Sequence, residues 1–155
     1  GKIVQQTESF INPAGFTIHS AVHAAREDAR YVIHLHTVAG VGVAAQQQGL
    51  LTISQNACLR QSQLAYHGYE GLALNHGTLA LGPSAAAAWI GIFFLERACA
   101  QQVAALTAGF DQVLMAPDQA QEETRMQGGG LPFVASLAWP GALRQLERKS
   151  PGYDL

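Results

Sequence analysis

The stretch Tyr31-Val32-Ile33-His34-Leu35-His36-Thr37 predicts a short buried β-strand that carries two histidines one residue apart. Side chains alternate between the two faces of a strand, so His34 and His36 are expected to project together. Neutral imidazole is a common metal ligand, and two of them on one face would begin a zinc-type site. The pair fits equally well with two hydrogen-bonded histidines on a half-buried strand. A metal site therefore needs at least one further ligand from elsewhere in the chain.

The composition predicts one domain with a large buried surface. The chain has 155 residues, of which 48% are hydrophobic and only 13% are charged, whereas about 25% charged residues is usual. So few charges indicate that much surface is buried, either inside the fold or between subunits. The net charge of −2 and the lack of a basic run argue against a nucleic-acid partner.

Neither the cysteines nor the apolar runs point to secretion or to a membrane. Cys58 and Cys99 are too few for a disulfide framework, so a reducing, cytoplasmic location is predicted. The apolar run 85–95 is too short to span a bilayer before Glu96 interrupts it. The chain begins at Gly1 rather than Met and shows no signal peptide, which fits a processed product, a fragment or the ordered part of a longer protein.

Periodicity, caps and breakers predict a single α/β domain over residues 1–155. Ser84 is the predicted N-cap of a long helix that ends before Gly109 and is apolar nearly all round. Helices are predicted over 17–26, 37–48, 85–108, 119–127 and in the last segment up to 148. Strands are predicted over 31–37, 50–54, 64–66, 69–74, 79–81 and 110–116, with 55–63 as a polar loop.

Histidines elsewhere in the chain are candidates for the further metal ligand. Asn75-His76-Gly77 lies between two short apolar runs, 72–74 and 79–81, which predicts a hairpin with His76 at its tip. For His76 alone, an exposed turn residue is the plainer interpretation. His19 and His23 stand four residues apart on one predicted helix, but no glutamate follows His19 as in zinc proteases. We therefore expect a pair that is exposed or that supports the metal ligands without binding the ion.

Four blocks of the chain together resemble the class II aldolase/adducin-head family. Two of them carry histidines: the His-x-His strand at 32–37 and an Asn-His-Gly-x-Leu turn at 75–79. The other two are a loop and helix start at 12–21 and the run Leu95-Glu96-Arg97-Ala98-Cys99 in the long helix. The blocks occur in the family's order and cover most of the chain. The last stretch, 139–153, is similar to bacterial adducin-like members.

The resemblance implies a fold, an assembly and a metal site. The fold is a three-layer α/β/α sandwich with a central, mostly antiparallel sheet, and the assembly is a homotetramer with active sites between subunits. The site holds a divalent metal, typically zinc, on His34, His36 and His76, with one coordination position left open. In such aldolases the metal acts as a Lewis acid on a small hydroxylated carbonyl substrate, and a nearby glutamate moves the proton during carbon–carbon cleavage.

The loop before the first helix departs from the family. By the resemblance, its residues Asn12, Ala14 and Gly15 bind the substrate, yet Gly15 stands where the family's aldolases carry the glutamate. The proton must then be moved by another group, or not at all. The candidates are Tyr66, Tyr69 and Glu70, which a neighbouring subunit could supply, and a metal-bound hydroxide.

The connection that leads to His76 is also shorter than in the family. Only the residues 72–74 separate Gly71 from Asn75. This indicates either a deletion or a missing segment near 72–75, together with a missing N-terminal part. A missing segment would make the predicted hairpin wrong, because Leu74 and Asn75 would not be true neighbours.

The function predicted from these features is that of a metal-dependent, aldolase-like lyase acting on a small hydroxylated carbonyl compound or sugar derivative. Two alternatives stay open. The absent loop glutamate fits a non-catalytic, adducin-like oligomeric interaction module, whereas the three histidines argue against it. A metal-dependent decarboxylase or oxygenase on the same fold is also compatible, because a fold does not determine its reaction.

Overall fold

The computed structural model describes residues 5–67 and 77–153. None of the helices in these ranges has the length and hydropathy that a bilayer span requires. Over the described ranges the regular elements, in chain order, are α1 (Pro13–Ala25), β1 (Tyr31–Leu35), α2 (Val38–Ala44), α3 (Gln55–Gln61), β2 (Thr78–Gly82), α4 (Ala85–Ala105), α5 (Asp118–Gln127) and α6 (Leu131–Lys149). Short 3₁₀ turns occupy Leu106–Ala108, Phe110–Gln112 and Gly128–Gly130.

β1 and β2 pair as antiparallel strands and form the sheet of the described part. Their register places His34 opposite Leu79 and Leu35 opposite Thr78. β2 alternates buried and half-buried residues, as expected for a strand with one face on a core. The predicted antiparallel character is confirmed. β2 finds its partner in the distant strand β1, and the other half of the predicted hairpin, 72–74, lies outside the described residues.

α4 is the centre of the described fold and packs against β2, α2, α3 and α6. It begins, as predicted, after Ser84, whose hydroxyl accepts a first-turn N–H at 3.2 Å. Ala88 and Ala98 are fully buried and allow neighbours to approach closely, while Ile92 and Leu95 are only 5% and 7% exposed. Burying side chains of their size stabilises a fold by about 1.5–3 kcal/mol each. These contacts confirm an α/β fold in which helices cover an antiparallel sheet.

The N-termini of α1 and α2 are each capped by a side chain, and in α1 the cap places the start before the predicted apolar pattern. α1 starts at Pro13 and not at 17, because Oδ1 of Asn12 accepts the N–H of Ala14 at 3.0 Å and proline suits the first helical position. α2 starts after Thr37, whose hydroxyl accepts the N–H of Gly40 at 2.9 Å. The predicted strand 31–37 therefore ends early, at Leu35, and the predicted helix 37–48 is shorter than expected.

The predicted strand 50–54 is wrong. The N–H groups of Leu50 and Leu51 donate to side chains, the hydroxyl of Tyr66 at 2.8 Å and Oε1 of Gln102 at 2.7 Å, and not to a neighbouring strand. Because these acceptors are far along the chain, the apolar run alone could not reveal that its backbone is satisfied without a sheet.

The predicted polar loop 55–63 is also wrong, since most of it is helix α3. The hydroxyl of Ser54 accepts the N–H of Ala57 at 3.3 Å and caps the helix. One turn, which includes Cys58 and Leu59, is buried, and the helix packs against α4 and α5. Gln55 and Gln61 are exposed, whereas Asn56 and Arg60 are half-buried. This mixture of polar residues is why local composition suggested a loop.

The segments 64–66 and 110–116, predicted as strands, contain no strand. In the second, the N–H of Ala116 donates to the carbonyl of Thr52 at 2.8 Å, and the start of the segment is a 3₁₀ turn. α4 ends at Ala105, earlier than the predicted 108, and a 3₁₀ turn over Leu106–Ala108 follows it. The helical conformation stops at Gly109, as predicted, where the φ of 99° is one that other residues rarely adopt.

Candidate metal centre

His34 and His36 meet at the C-terminal end of β1. Nε2 of His36 lies 2.7 Å from Nε2 of His34. The two ring centroids are 4.6 Å apart and the ring planes meet at 76°. The predicted proximity is confirmed, although the strand ends at Leu35 and His36 lies just beyond it. Two imidazole nitrogens therefore point into one small volume.

The tautomer of His34 is set by the neighbouring strand. Its Nδ1 lies 2.9 Å from the carbonyl oxygen of Thr78. A carbonyl can only accept, so Nδ1 is assigned as the donor and carries the proton. In the neutral ring the lone pair is then on Nε2, the atom that faces His36. Metal-binding histidines usually have their other nitrogen held in this way.

The two histidines fit as ligands of a divalent ion that prefers imidazole. Zinc–nitrogen bonds of roughly 2.0–2.1 Å in a tetrahedral site place two ligand nitrogens about 3.4 Å apart. The observed separation of the Nε2 atoms is 2.7 Å, so a small rotation of either ring covers the difference. Within residues 5–67 and 77–153, no three His, Cys, Asp or Glu side chains converge on one point. The predicted third ligand, His76, lies outside the described residues and stays a prediction.

Gly77 brings the start of β2 against Leu35 and His36. Its φ is 150°, and a Cβ at this position would stand 2.2 Å from the carbonyl oxygen of Leu35 and 3.2 Å from Cδ2 of His36. Only glycine permits such an approach. The contact lies one residue from the predicted ligand His76.

The carboxylate of Glu96, which no sequence motif singled out, links the segment after β1 to the start of β2. Glu96 of α4 accepts hydrogen bonds from the hydroxyls of Thr37 and Thr78. Thr37 directly follows His36, and Thr78 supplies the carbonyl that holds His34. One indication of this role was present in the sequence. Thr37 ends the histidine stretch, and Glu96 lies in the run 95–99, one of the four blocks that resemble the family.

The loop residues predicted to bind substrate lie at the start of α1. Oδ1 of Asn12 accepts the N–H of Ala14 at 3.0 Å, so this oxygen is used in capping the helix. A Cβ at Gly15 would meet, among the described atoms within 4 Å, only Cβ of Asn12 at 3.9 Å. The position therefore has room for a side chain, and substrate binding by this loop stays a prediction.

Tyr66 is the described member of the three candidates for moving the proton. Its hydroxyl oxygen accepts the N–H of Leu50 at 2.8 Å, and the residue is 66% exposed. The Tyr66 side chain packs directly against Gly49. A Cβ added to Gly49 would stand 2.6 Å from the Tyr66 hydroxyl oxygen. Tyr66 thus holds the turn after α2, and its hydroxyl still has a proton to donate. Tyr69 and Glu70 lie outside the described residues.

Both cysteines are buried free thiols. Burial raises the pKa of Cys58. Burial, together with the nearby charge of Glu96, raises the pKa of Cys99 to about 11. Because the thiolate is the reactive form, the raised pKa values do not favour either thiol as a nucleophile near neutral pH.

Comparisons with known proteins identify the class of protein to which this chain belongs. Residues 1–73 match the family described as Class II Aldolase and Adducin N-terminal domain. A relative from Caulobacter vibrioides, provisionally named an aldolase class 2 protein, is 53% identical over 175 aligned positions. The alignment covers 99% of this chain and 68% of the relative. The chain therefore belongs to the class II aldolase and adducin family.

Solved structures share the fold. An aldolase II superfamily protein from Pseudomonas syringae superposes with a TM-score of 0.86 at 36% identity, over 92% of this chain and 66% of that one. L-fuculose 1-phosphate aldolase from Glaciozyma antarctica superposes with a TM-score of 0.76 at 25% identity, over 90% of this chain and 61% of that one. These likenesses confirm the aldolase-like α/β fold, and this chain spans slightly less than two thirds of either solved chain.

Proposed function

We propose that this protein is a metal-dependent, aldolase-like lyase that cleaves a carbon–carbon bond in a small hydroxylated carbonyl compound or sugar derivative. The observation that carries the proposal is the convergence of Nε2 of His34 and Nε2 of His36, with Thr78 holding His34 in the tautomer that a metal requires. Family membership and the likeness to L-fuculose 1-phosphate aldolase support the reaction class. The proposed cofactor is a divalent ion, zinc, on His34, His36 and His76.

The proposed site divides its tasks between the ion and the protein. A bound divalent ion supplies Lewis-acid polarisation of a substrate oxygen. His34 and His36 would hold the ion through their Nε2 atoms, and the Thr78 carbonyl, 2.9 Å from Nδ1 of His34, would keep that ring from rotating away. Asn12, Ala14 and Gly15 at the start of α1 are the proposed contacts with the substrate.

Proton movement needs a group other than the usual loop glutamate. Gly15 offers no carboxyl, so the proposed acid/base is Tyr66, Tyr69 or Glu70, from the same subunit or a neighbouring one. Tyr66 is exposed and its hydroxyl retains a proton. General acid–base catalysis of this kind contributes roughly 10²–10⁴-fold to a rate.

We also propose that the protein works as a cytoplasmic homotetramer on a small molecule, without nucleic-acid or membrane partners. The support is exposed apolar surface. α1 has no buried residue, although it carries Phe16, which is 47% exposed. Val38, two residues after His36, is 91% exposed. Exposed apolar side chains of this kind favour a covering subunit.

The alternative proposal is a non-catalytic, adducin-like oligomeric interaction module. Gly15 favours it, because the backbone leaves room for a side chain there and yet supplies no carboxylate. Such a module would hold a metal without turnover, or hold none. A decarboxylase or oxygenase on the same fold would instead show a requirement for iron or manganese.

Metal content and retro-aldol activity test the proposal. The full chain, loaded with zinc and assayed on a panel of free and phosphorylated sugars, should hold about one ion per subunit and lose both ion and activity on chelation. His34→Ala should not retain the ion, whereas His23→Ala, an exposed histidine of α1, serves as the matched control. Equal metal content in both variants would contradict the site. Full metal content without turnover on any substrate would favour the interaction module.

We further propose that residues 1–155 form one domain whose connection near 72–75 is shorter than in relatives. The alignment with the Caulobacter vibrioides relative is longer than this chain, at 175 positions against 155 residues, so the relative has residues with no counterpart here. This difference in length supports a connection that is shorter in this chain than in the relative.

A further inference from the structure

One carboxylate joins three separate segments of the fold at the histidine pair. Glu96, on the central helix α4, accepts the hydroxyl protons of Thr37 and Thr78 through its two oxygens. Thr37 lies between β1 and α2, and Thr78 is the first residue of β2. Thr78 is 9% exposed, so its hydroxyl is largely removed from water. A buried hydroxyl with an acceptor is a strong restraint on position.

Each threonine is coupled directly to a histidine. Thr37 follows His36 in the chain, so fixing its side chain limits the backbone that carries His36. The carbonyl of Thr78 accepts the Nδ1–H of His34 at 2.9 Å. Glu96 therefore restrains both histidines, one through a covalent neighbour and the other through a hydrogen bond.

Both carboxylate oxygens of Glu96 act as acceptors. The oxygen of Thr37 already accepts the N–H of Gly40 at 2.9 Å, so its own proton is directed to Glu96. A Cβ at Gly40 would stand 2.9 Å from Oε1 of Glu96, which shows how tightly the carboxylate is enclosed. An amide in its place would carry no charge, and its NH₂ group would force one threonine hydroxyl to rotate and accept instead of donating.

We propose that Glu96 is a positioning residue for the histidine pair: it holds His34 in the Nδ1–H tautomer and keeps its Nε2 beside Nε2 of His36. The residue acts through Thr37 and Thr78, without touching a metal or a substrate. The consequence for metal affinity rests on the proposed function, whereas the consequence for the histidine tautomer does not.

Two measurements on the full chain test this proposal. The first is cobalt(II) titration followed by visible absorption, in which Glu96→Gln should bind about 10–100-fold more weakly than wild type, the usual effect of losing a group that orients a ligand. The second is ¹⁵N NMR of the metal-free protein at about pH 8, where imidazole is neutral. Wild type should show His34 as one tautomer, and Glu96→Gln should show a mixture. Glu147→Gln, an exposed glutamate on α6, is the matched control.

Threonine variants keep the proposal testable if the Glu96 variant folds poorly. Thr78→Val preserves shape but removes the hydroxyl, and it should weaken cobalt binding and broaden the tautomer ratio. Thr78→Ser restores the hydroxyl and should restore both. A residue that only stabilises the fold would lower the unfolding temperature and leave both readouts unchanged.

The outcomes separate this inference from the proposed function. If wild type binds cobalt and the Glu96 and Thr78 variants bind it equally tightly with an unchanged tautomer, the positioning role is overturned. If wild type binds no cobalt, the proposed metal function fails, and the tautomer spectra of the metal-free proteins still decide the role of Glu96.

Discussion

Nδ1 of His34 lies 2.9 Å from the carbonyl oxygen of Thr78, across the β1–β2 pair and 44 residues along the chain. The acceptor is a backbone atom, so no side-chain substitution at residue 78 removes it. The tautomer of His34 therefore depends on the register of two strands and on what holds their ends together. We make four predictions, and the first concerns the residue next to Thr78.

Gly77→Ala should disrupt the approach of β2 to the histidines. The added Cβ would stand 2.2 Å from the carbonyl oxygen of Leu35, and the φ of 150° is unfavourable for alanine. We expect a loss of roughly 2–4 kcal/mol in the free energy of unfolding, measured by urea titration. Gly129→Ala, where an added Cβ meets no described atom within 4 Å, should change it little. Similar stabilities of the two variants would contradict the close contact.

Gly15→Glu should raise retro-aldol turnover if the protein is an aldolase that lacks its usual acid/base. The backbone accepts a side chain there, since a Cβ would meet only Cβ of Asn12 at 3.9 Å among the described atoms. A well-placed carboxyl can raise the rate of proton transfer chemistry roughly 10²–10⁴-fold, and we expect even a poorly aligned one to raise turnover about 10-fold. Gly15→Gln has the same size without the titratable group and is the control. Equal turnover of both variants would show that this position does not move the proton.

Gln102→Leu should strongly destabilise the fold. Gln102 is fully buried, its amide donates to the Gly49 carbonyl at 2.8 Å and its Oε1 accepts the N–H of Leu51 at 2.7 Å. Leucine would leave these backbone groups without a partner, at a cost of roughly 2–4 kcal/mol. Chemical denaturation measures the loss. Gln101→Leu, at the exposed neighbouring position, should lower the free energy of unfolding much less. An equal loss in both variants would contradict the role of the Gln102 hydrogen bonds.

Cys99 should make the protein less stable in alkali. Burial raises the pKa of Cys99 in the folded state to about 11, against 9.0 for an ordinary thiol. Between about pH 9 and pH 11 the unfolded chain has released this proton while the folded chain keeps it, so the free energy of unfolding falls as pH rises. The expected fall attributable to Cys99 is roughly 1–3 kcal/mol.

The alkaline effect is measured by urea titrations across that pH range. In Cys99→Ala, the fall should be smaller than in wild type, because the thiol is gone while tyrosines and lysines still titrate. At about pH 8 only about one folded Cys99 thiol in a thousand is ionised, so iodoacetamide should label it slowly until urea is added. Rapid labelling of the native protein would contradict the raised pKa.

Local features of the chain were predictable because their causes lie within a few residues. The helix start at Ser84 depends on a side chain three residues from the N–H that it accepts, and the stop at Gly109 depends on one φ angle. The proximity of His34 and His36 follows from their spacing near a strand. The predictions for the segments 50–54 and 55–63 were wrong. In 50–54, the side chains of Gln102 and Tyr66 accept the backbone N–H groups. In 55–63, α4 packs against the buried apolar turn of a helix.

The sequence by itself determined that two imidazoles would lie side by side and that a long apolar helix would form the centre of the fold. Only the tertiary structure decided that Thr78 sets the tautomer of His34 and that Glu96 joins Thr37 to Thr78. The physical reason is range: alternation and capping act between near neighbours, whereas strand partners and buried acceptors are chosen by packing between segments far apart in the chain.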